Sequence, residues 1–109
     1  MPNGLAHPTI IDLVTCEPGQ DHVTLVIVQD AEWPRGEALQ KAFAHKVNTY
    51  LSFAKLGTMF RDFPESQGRA LRVQVMAKRT PTPEARAVMK MLGPLLKQQG
   101  ARLDIVEMQ

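Results

Sequence analysis

The sequence predicts a mixed α/β domain: one four-stranded sheet, element order β-β-α-β-α-β, with both helices on one face. Three observations predict it. Residues 37–60 (EALQKAFAHKVNTYLSFAKLGTMF) place Leu39, Phe43, Val47, Tyr50, Leu51 and Ala54 at steps of three and four. That is the period of one helical stripe, with Gln40, Lys41, Lys46, Asn48 and Lys55 expected on the solvent side. Four short segments rich in β-branched or alternating apolar residues surround that stretch. A second, proline-led helical segment separates the last two of them.

In chain order, residues 1–8 carry two prolines and a glycine and read as a loose lead-in. Residues 9–16 (TIIDLVTC) are short and β-branched, hence a strand. Pro18 and Gly19 supply a turn, proline by presetting φ and glycine by accepting a positive one. Residues 22–29 (HVTLVIVQ) then return as the antiparallel partner. Pro34 keeps the connecting segment out of the sheet. The long helix is expected over about 37–56, with Gly57 as its stop and an extra turn before Pro64.

In residues 70–78 (ALRVQVMAK), Leu71, Val73, Val75 and Ala77 alternate with Arg72, Gln74, Met76 and Lys78, giving a third strand with one buried face. Thr82 before Pro83 fits an N-cap followed by proline at the first helical position. The helix that follows turns Val88, Met91, Leu92, Leu95 and Leu96 inward. Gly93 and Pro94 lie in its middle, and a kink or broken turn is expected near Leu92, since an interior proline costs about 3 kcal/mol. Residues 102–108 (RLDIVEM) form the last strand, with Leu103 and Ile105 inward.

Successive parallel strands joined through helices make right-handed crossovers, so two steps in one direction put both helices on the same face. Leu51 and Val73 are then expected to be buried between the long helix and the sheet. The other face is left uncovered. It carries Thr24, Val26, Val28, Arg72, Gln74, Met76 and Val106, of which Val26, Val28, Arg72, Gln74 and Met76 are the expected partner face. Soluble monomers rarely leave large apolar patches open, and a two-fold dimer is the commonest remedy.

Composition narrows the class. The 109 residues make a single domain able to bury a core without staples. With 44% hydrophobic and 22% charged residues the chain is not expected to be disordered. Thirteen basic against 11 acidic residues leave a formal charge of +2, which demands no polyanionic partner. Cys16 is the one cysteine, so no internal disulfide forms and a reducing, cytoplasmic setting is expected. The start MPNGLAHPTI lacks the pattern of a signal peptide, and no apolar run reaches spanning length, so no membrane role is expected.

The hairpin pattern HPTIIDLVTCEPGQDHVTLVIV, the segment KVNTYLSFAKLG, FPESQGRALRVQV and the proline-led helix together resemble a small bacterial α/β protein family of unknown function. The resemblance covers residues 3–106. It implies a small soluble α/β protein of bacteria and carries over no catalytic residue, cofactor or partner.

The residues themselves point to no catalytic, cofactor or metal set. His7, His22 and His45 lack ligand spacing, and Cys16 lacks a second cysteine. Asp12, Glu17, Asp21 and His22 border the hairpin, where carboxylates are ordinarily just solvated. Cys16 with His22 would need a meeting that no spacing indicates. Trp33, the one tryptophan, is read as a staple at the entry of the long helix rather than as an exposed anchor. Arg79, Arg86, Lys90 and Lys97 share an outer face that could touch phosphates, but no aromatics are interleaved to stack bases, so a weak nucleic-acid binder through this basic helix face ranks last among the alternatives. The reading is a non-enzymatic interaction module, uncharacterised, that self-associates as a dimer through its uncovered sheet face. The alternative is a small enzyme or ligand-binding protein. Its pocket would lie beyond the C-terminal ends of the parallel strands, at Gln29, Asp30, Trp33 and Arg79, where open α/β sheets hold ligands.

Overall fold

Strand pairing decides the architecture. In the computed structural model, which describes residues 3–107, the elements are β1 (Leu13–Thr15), β2 (His22–Gln29), α1 (Gly36–Lys55), α2 (Thr58–Asp62), a 3-10 turn (Pro64–Ser66), β3 (Ala70–Ala77), α3 (Pro83–Gln98) and β4 (Ala101–Glu107). The sheet order is β1-β2-β3-β4. β1 runs antiparallel to β2, with Leu13 opposite Val26, and β2, β3 and β4 are mutually parallel. One core joins Val23, Leu25, Ile27, Val73, Val75 and Ala77 of the sheet to Leu39, Phe43, Val47 and Tyr50 of α1 and to Ala85, Val88 and Leu96 of α3. Both helices therefore lie on one face, as the crossover argument requires.

Local chemistry explains where the helices begin and end. The Thr82 hydroxyl accepts the Ala85 N–H at 3.1 Å, and Pro83 occupies the first turn of α3, as its sequence predicts. α1 has no side-chain cap of its own, and its Gly36 N–H donates instead to the Glu84 carboxylate of α3. Glu37 in the first turn and Lys55 in the last complement the helix dipole. Gly57, at φ 88°, takes the left-handed conformation that reverses the chain between α1 and α2.

Several expectations are corrected. The first strand is three residues long rather than spanning 9–16, because backbone groups before Leu13 bond to side chains from α1 instead of joining the ladder. Residues 3–8 are not a loose lead-in: Leu5 is 2% exposed and belongs to the core. Lys46, expected in solvent, is fully buried. α3 runs unbroken through Gly93 and Pro94. Pro94 and Lys90 are both on the exposed side, where water can satisfy the Lys90 carbonyl that proline leaves without a donor. Ile105 faces the helix side as expected but is 38% exposed, because β4 is an edge strand with no described neighbour on its outer side. Val26, at 1%, and Thr24 are already buried within the uncovered face, flanked by the longer Leu13, Gln74 and Arg72 in the neighbouring strands.

Leu51 is half-buried at the margin of the core, whereas Val73 is fully buried. Leu51→Ala should then cost no more than about 2 kcal/mol, the bottom of the usual range for leucine truncation. Urea denaturation measures it, and a loss near the top of that range would place Leu51 in the centre of the core.

Candidate functional site

The most ordered polar constellation is buried, and it is built from α1 upward. Lys46 and Tyr50 stand one turn apart on the stripe that also carries Leu39, Phe43 and Ala54, so both side chains enter the protein. The Lys46 ammonium donates to the His7 carbonyl at 2.8 Å, the Ile10 carbonyl at 2.7 Å and Asp12 Oδ1 at 2.7 Å. All three of its protons are thereby used. Asp12 Oδ2 accepts the N–H groups of Gly4 and Val28, each at 2.9 Å. The Tyr50 hydroxyl accepts the Asp12 N–H at 3.0 Å and donates to the Val26 carbonyl at 2.6 Å. Lys46 Nζ also lies 5.5 Å from the centre of the Tyr50 ring.

This group is a clasp closed on itself. The Asp12 and Lys46 side chains are both 0% exposed, and no polar atom among them points into a cavity without a partner. Burial, the largest effect, drives the Tyr50 phenol far above its ordinary range; the Asp12 backbone hydrogen bond opposes this and the Asp12 charge adds to it. Tyr50 is thus held protonated, as a donor. The sequence reading placed Lys46 in water and Asp12 among solvated carboxylates. The available signal was the spacing 39-43-46-50, which puts position 46 on the buried stripe beside Val47.

Of the expected pocket residues, Gln29 and Trp33 face inward. Gln29 accepts the Leu5 N–H at 2.8 Å and donates to the carbonyls of Ala31 and Glu32 at 3.3 and 3.2 Å. Trp33 Nε1–H donates to the Arg79 carbonyl at 3.0 Å, and its ring stacks on Phe43 with centroids 6.1 Å apart. The tryptophan thus ties the entry of α1 to the end of β3. Asp30 and Arg79 remain on the surface, with the Arg79 guanidinium 4.0 Å from Glu32.

A groove of about 580 Å³ opens elsewhere, between α1 and α3, lined by Val47, Leu51, Leu56, Leu92, Leu95 and Leu96. Its one ionisable lining residue is Lys55, whose ammonium bonds the Gln99 side chain. It therefore lacks the paired acid and base that proton transfer needs. At the hairpin, His22 Nδ1 lies 3.1 Å from Asp21, and this hydrogen bond, more than any other influence, holds the exposed Asp21 carboxyl below its ordinary value. Cys16 is half-buried against the core. Among the described residues no three of His, Cys, Asp or Glu converge as metal ligands, and no helix is long and apolar enough to cross a membrane. Three arginines of the basic surface face acids: Arg79 faces Glu32, Arg86 lies 2.6 Å from Glu107, and Arg102 lies 3.1 Å from Asp104.

The sheet face opposite the helices has no described helix or strand over it. Register places Thr15, Thr24, Arg72 and Arg102 in one row, Leu13, Val26, Gln74 and Asp104 in the next, and Val28, Met76 and Val106 in a third. Leu13 and Val106 are 45% and 41% exposed, while Val28, Arg72, Gln74 and Met76 are half-buried. At its β4 border, this face meets an edge strand whose opposite side exposes Ile105.

Comparison with known families places the chain. Residues 4–109 fit the model of a family described as Family of unknown function (DUF6572), in keeping with the resemblance carried by the hairpin and KVNTYLSFAKLG. No curated protein and no solved structure matches.

Proposed function

Since the chain belongs to that family of unknown function and membership brings no activity with it, we propose that it is a non-enzymatic interaction module that associates with a second copy of itself through its sheet. The observation that carries this reading is the placing of exposed apolar side chains around the uncovered face. Leu13 stands near one margin and Val106 at the other, with half-buried Val28 and Met76 between them and Ile105 on the reverse of the same edge strand. Contiguous apolar surface marks interaction sites, and Val28, Met76 and Val106 form one such row on this face. Arg72, Gln74, Arg102 and Asp104 cross the same face, and such mixed polarity fits a moderate interface with a polar rim rather than an obligate one.

The polar groups found inside the protein support the non-enzymatic half of the reading. The clasp uses its donors and acceptors internally, and the groove between α1 and α3 offers no acid–base pair. Sedimentation equilibrium across a dilution series is the test. A dimer that dissociates on dilution is expected; a monomer at high micromolar concentration would remove self-association.

A further inference from the structure

We propose that β4 is where the second copy joins: the two β4 strands pair antiparallel about a two-fold axis at Leu103 and fuse the two sheets into one. The inference rests on the self-association reading and moves the contact from the uncovered face itself to the edge strand that borders it. β4 is seven residues long, and among the described residues no strand pairs with its outer side. Edge strands of that length are normally protected by charges, proline, a bulge or a cover, because unpaired backbone groups recruit another strand. The Arg102 and Asp104 charges of β4 are of opposite sign and can pair with those of a second copy. The other edge, β1, is only three residues long. β4 contains no proline and exposes Ile105 and Val106 on opposite faces near its end.

The strand's own sequence selects a second copy as the occupant. With Leu103 on the axis, Arg102 stands opposite the partner's Asp104, and symmetry repeats the pair. The neighbouring same-face registers would oppose Arg102 to Arg102 or Asp104 to Asp104, and like charges directly opposite are unfavourable. Arg102 and Asp104 already contact each other at 3.1 Å within the strand, on the uncovered face. The two copies would therefore form a square of alternating charge. On the helix side, the same register sets Ile105 opposite the partner's Ala101, large against small, with the two Leu103 side chains meeting on the axis.

The flank of α3 is shaped for an approach from this side. A shallow groove of about 320 Å³ runs between α3 and β4, bordered by Met89, Gly93, Leu103 and Ile105. Gly93 lies in the middle of a helix, where glycine costs about 1 kcal/mol relative to alanine. A Cβ at that position would meet nothing within 4 Å, so packing within the monomer gives no reason for the glycine. A neighbour seated against the groove supplies one.

Charge reversal tests the register. Arg102→Asp and Asp104→Arg are each expected to raise the dimer dissociation constant by about tenfold or more, because the two-fold axis places each substitution in the interface twice. The Arg102→Asp/Asp104→Arg double variant, which restores opposite charges across the axis, should return to within about threefold of the unmodified chain. Circular dichroism confirms that each variant folds. Hydrogen exchange of the unmodified protein gives an independent measurement: β4 amides should gain protection as concentration rises. A dimer indifferent to both single reversals, or with concentration-independent β4 exchange, overturns the β4 contact and leaves self-association standing. A monomeric unmodified protein overturns both.

Discussion

Lys46→Met lowers the unfolding free energy by about 3–5 kcal/mol, the cost of leaving one member of a buried ion pair without its partner. The Asp12 and Lys46 side chains are both wholly out of water, so no solvent takes the place of the missing ammonium. The substitution also takes the ammonium donor from the Ile10 carbonyl and from the His7 carbonyl, which keeps the Ile10 N–H. Domains of this kind hold only about 5–15 kcal/mol in total, so the variant should melt near the limit of foldedness. Asp12→Asn keeps an acceptor oxygen for the N–H groups of Gly4 and Val28 while removing the charge. The double variant Asp12→Asn/Lys46→Met should therefore lose less than the sum of the two single losses. Urea denaturation of the four proteins measures the coupling. Strict additivity, or an Lys46→Met protein as stable as the unmodified one, would mean that the ion pair is not formed in solution.

Tyr50→Phe removes one oxygen, which takes the acceptor from the Asp12 N–H and a donor from the Val26 carbonyl. An orphaned buried group costs about 1–3 kcal/mol, so this near-isosteric change should approach the loss of a core side chain. A loss below about 1 kcal/mol would show that water or a backbone shift replaces the hydroxyl. The phenol also carries a pH signature. The folded state holds its proton more tightly than the unfolded chain does. Its contribution is therefore complete below the ordinary tyrosine value near 10 and is lost progressively as pH rises above it. Phenolate absorbance from Tyr50 should appear together with alkaline unfolding rather than before it.

Element order was legible because periodicity and turn chemistry are local properties. The stripe through Leu39, Phe43, Val47 and Tyr50, the alternation from Leu71 to Ala77 and the Thr82–Pro83 start are written in neighbouring residues. Asp12 and Lys46 lie 34 positions apart, and each looks like an ordinary surface charge until the fold brings them together. The same distance effect hid the ordered path of residues 4–12, whose partners are Gln29, Lys46 and Tyr50. Alternation also assigned Val26 to the uncovered face correctly, but it could not show that longer neighbours bury it there.

The clasp also sets an order of events during synthesis. Residues 4–12 leave the ribosome before α1, and the ammonium and hydroxyl that hold them follow more than thirty residues later. At about 5–20 residues per second, that leaves the segment unfastened for seconds. A hairpin that looks local in sequence is therefore flanked by a segment that distant side chains hold. That segment is made early and fastened late, which leaves it open to chaperones and proteases until Tyr50 has emerged.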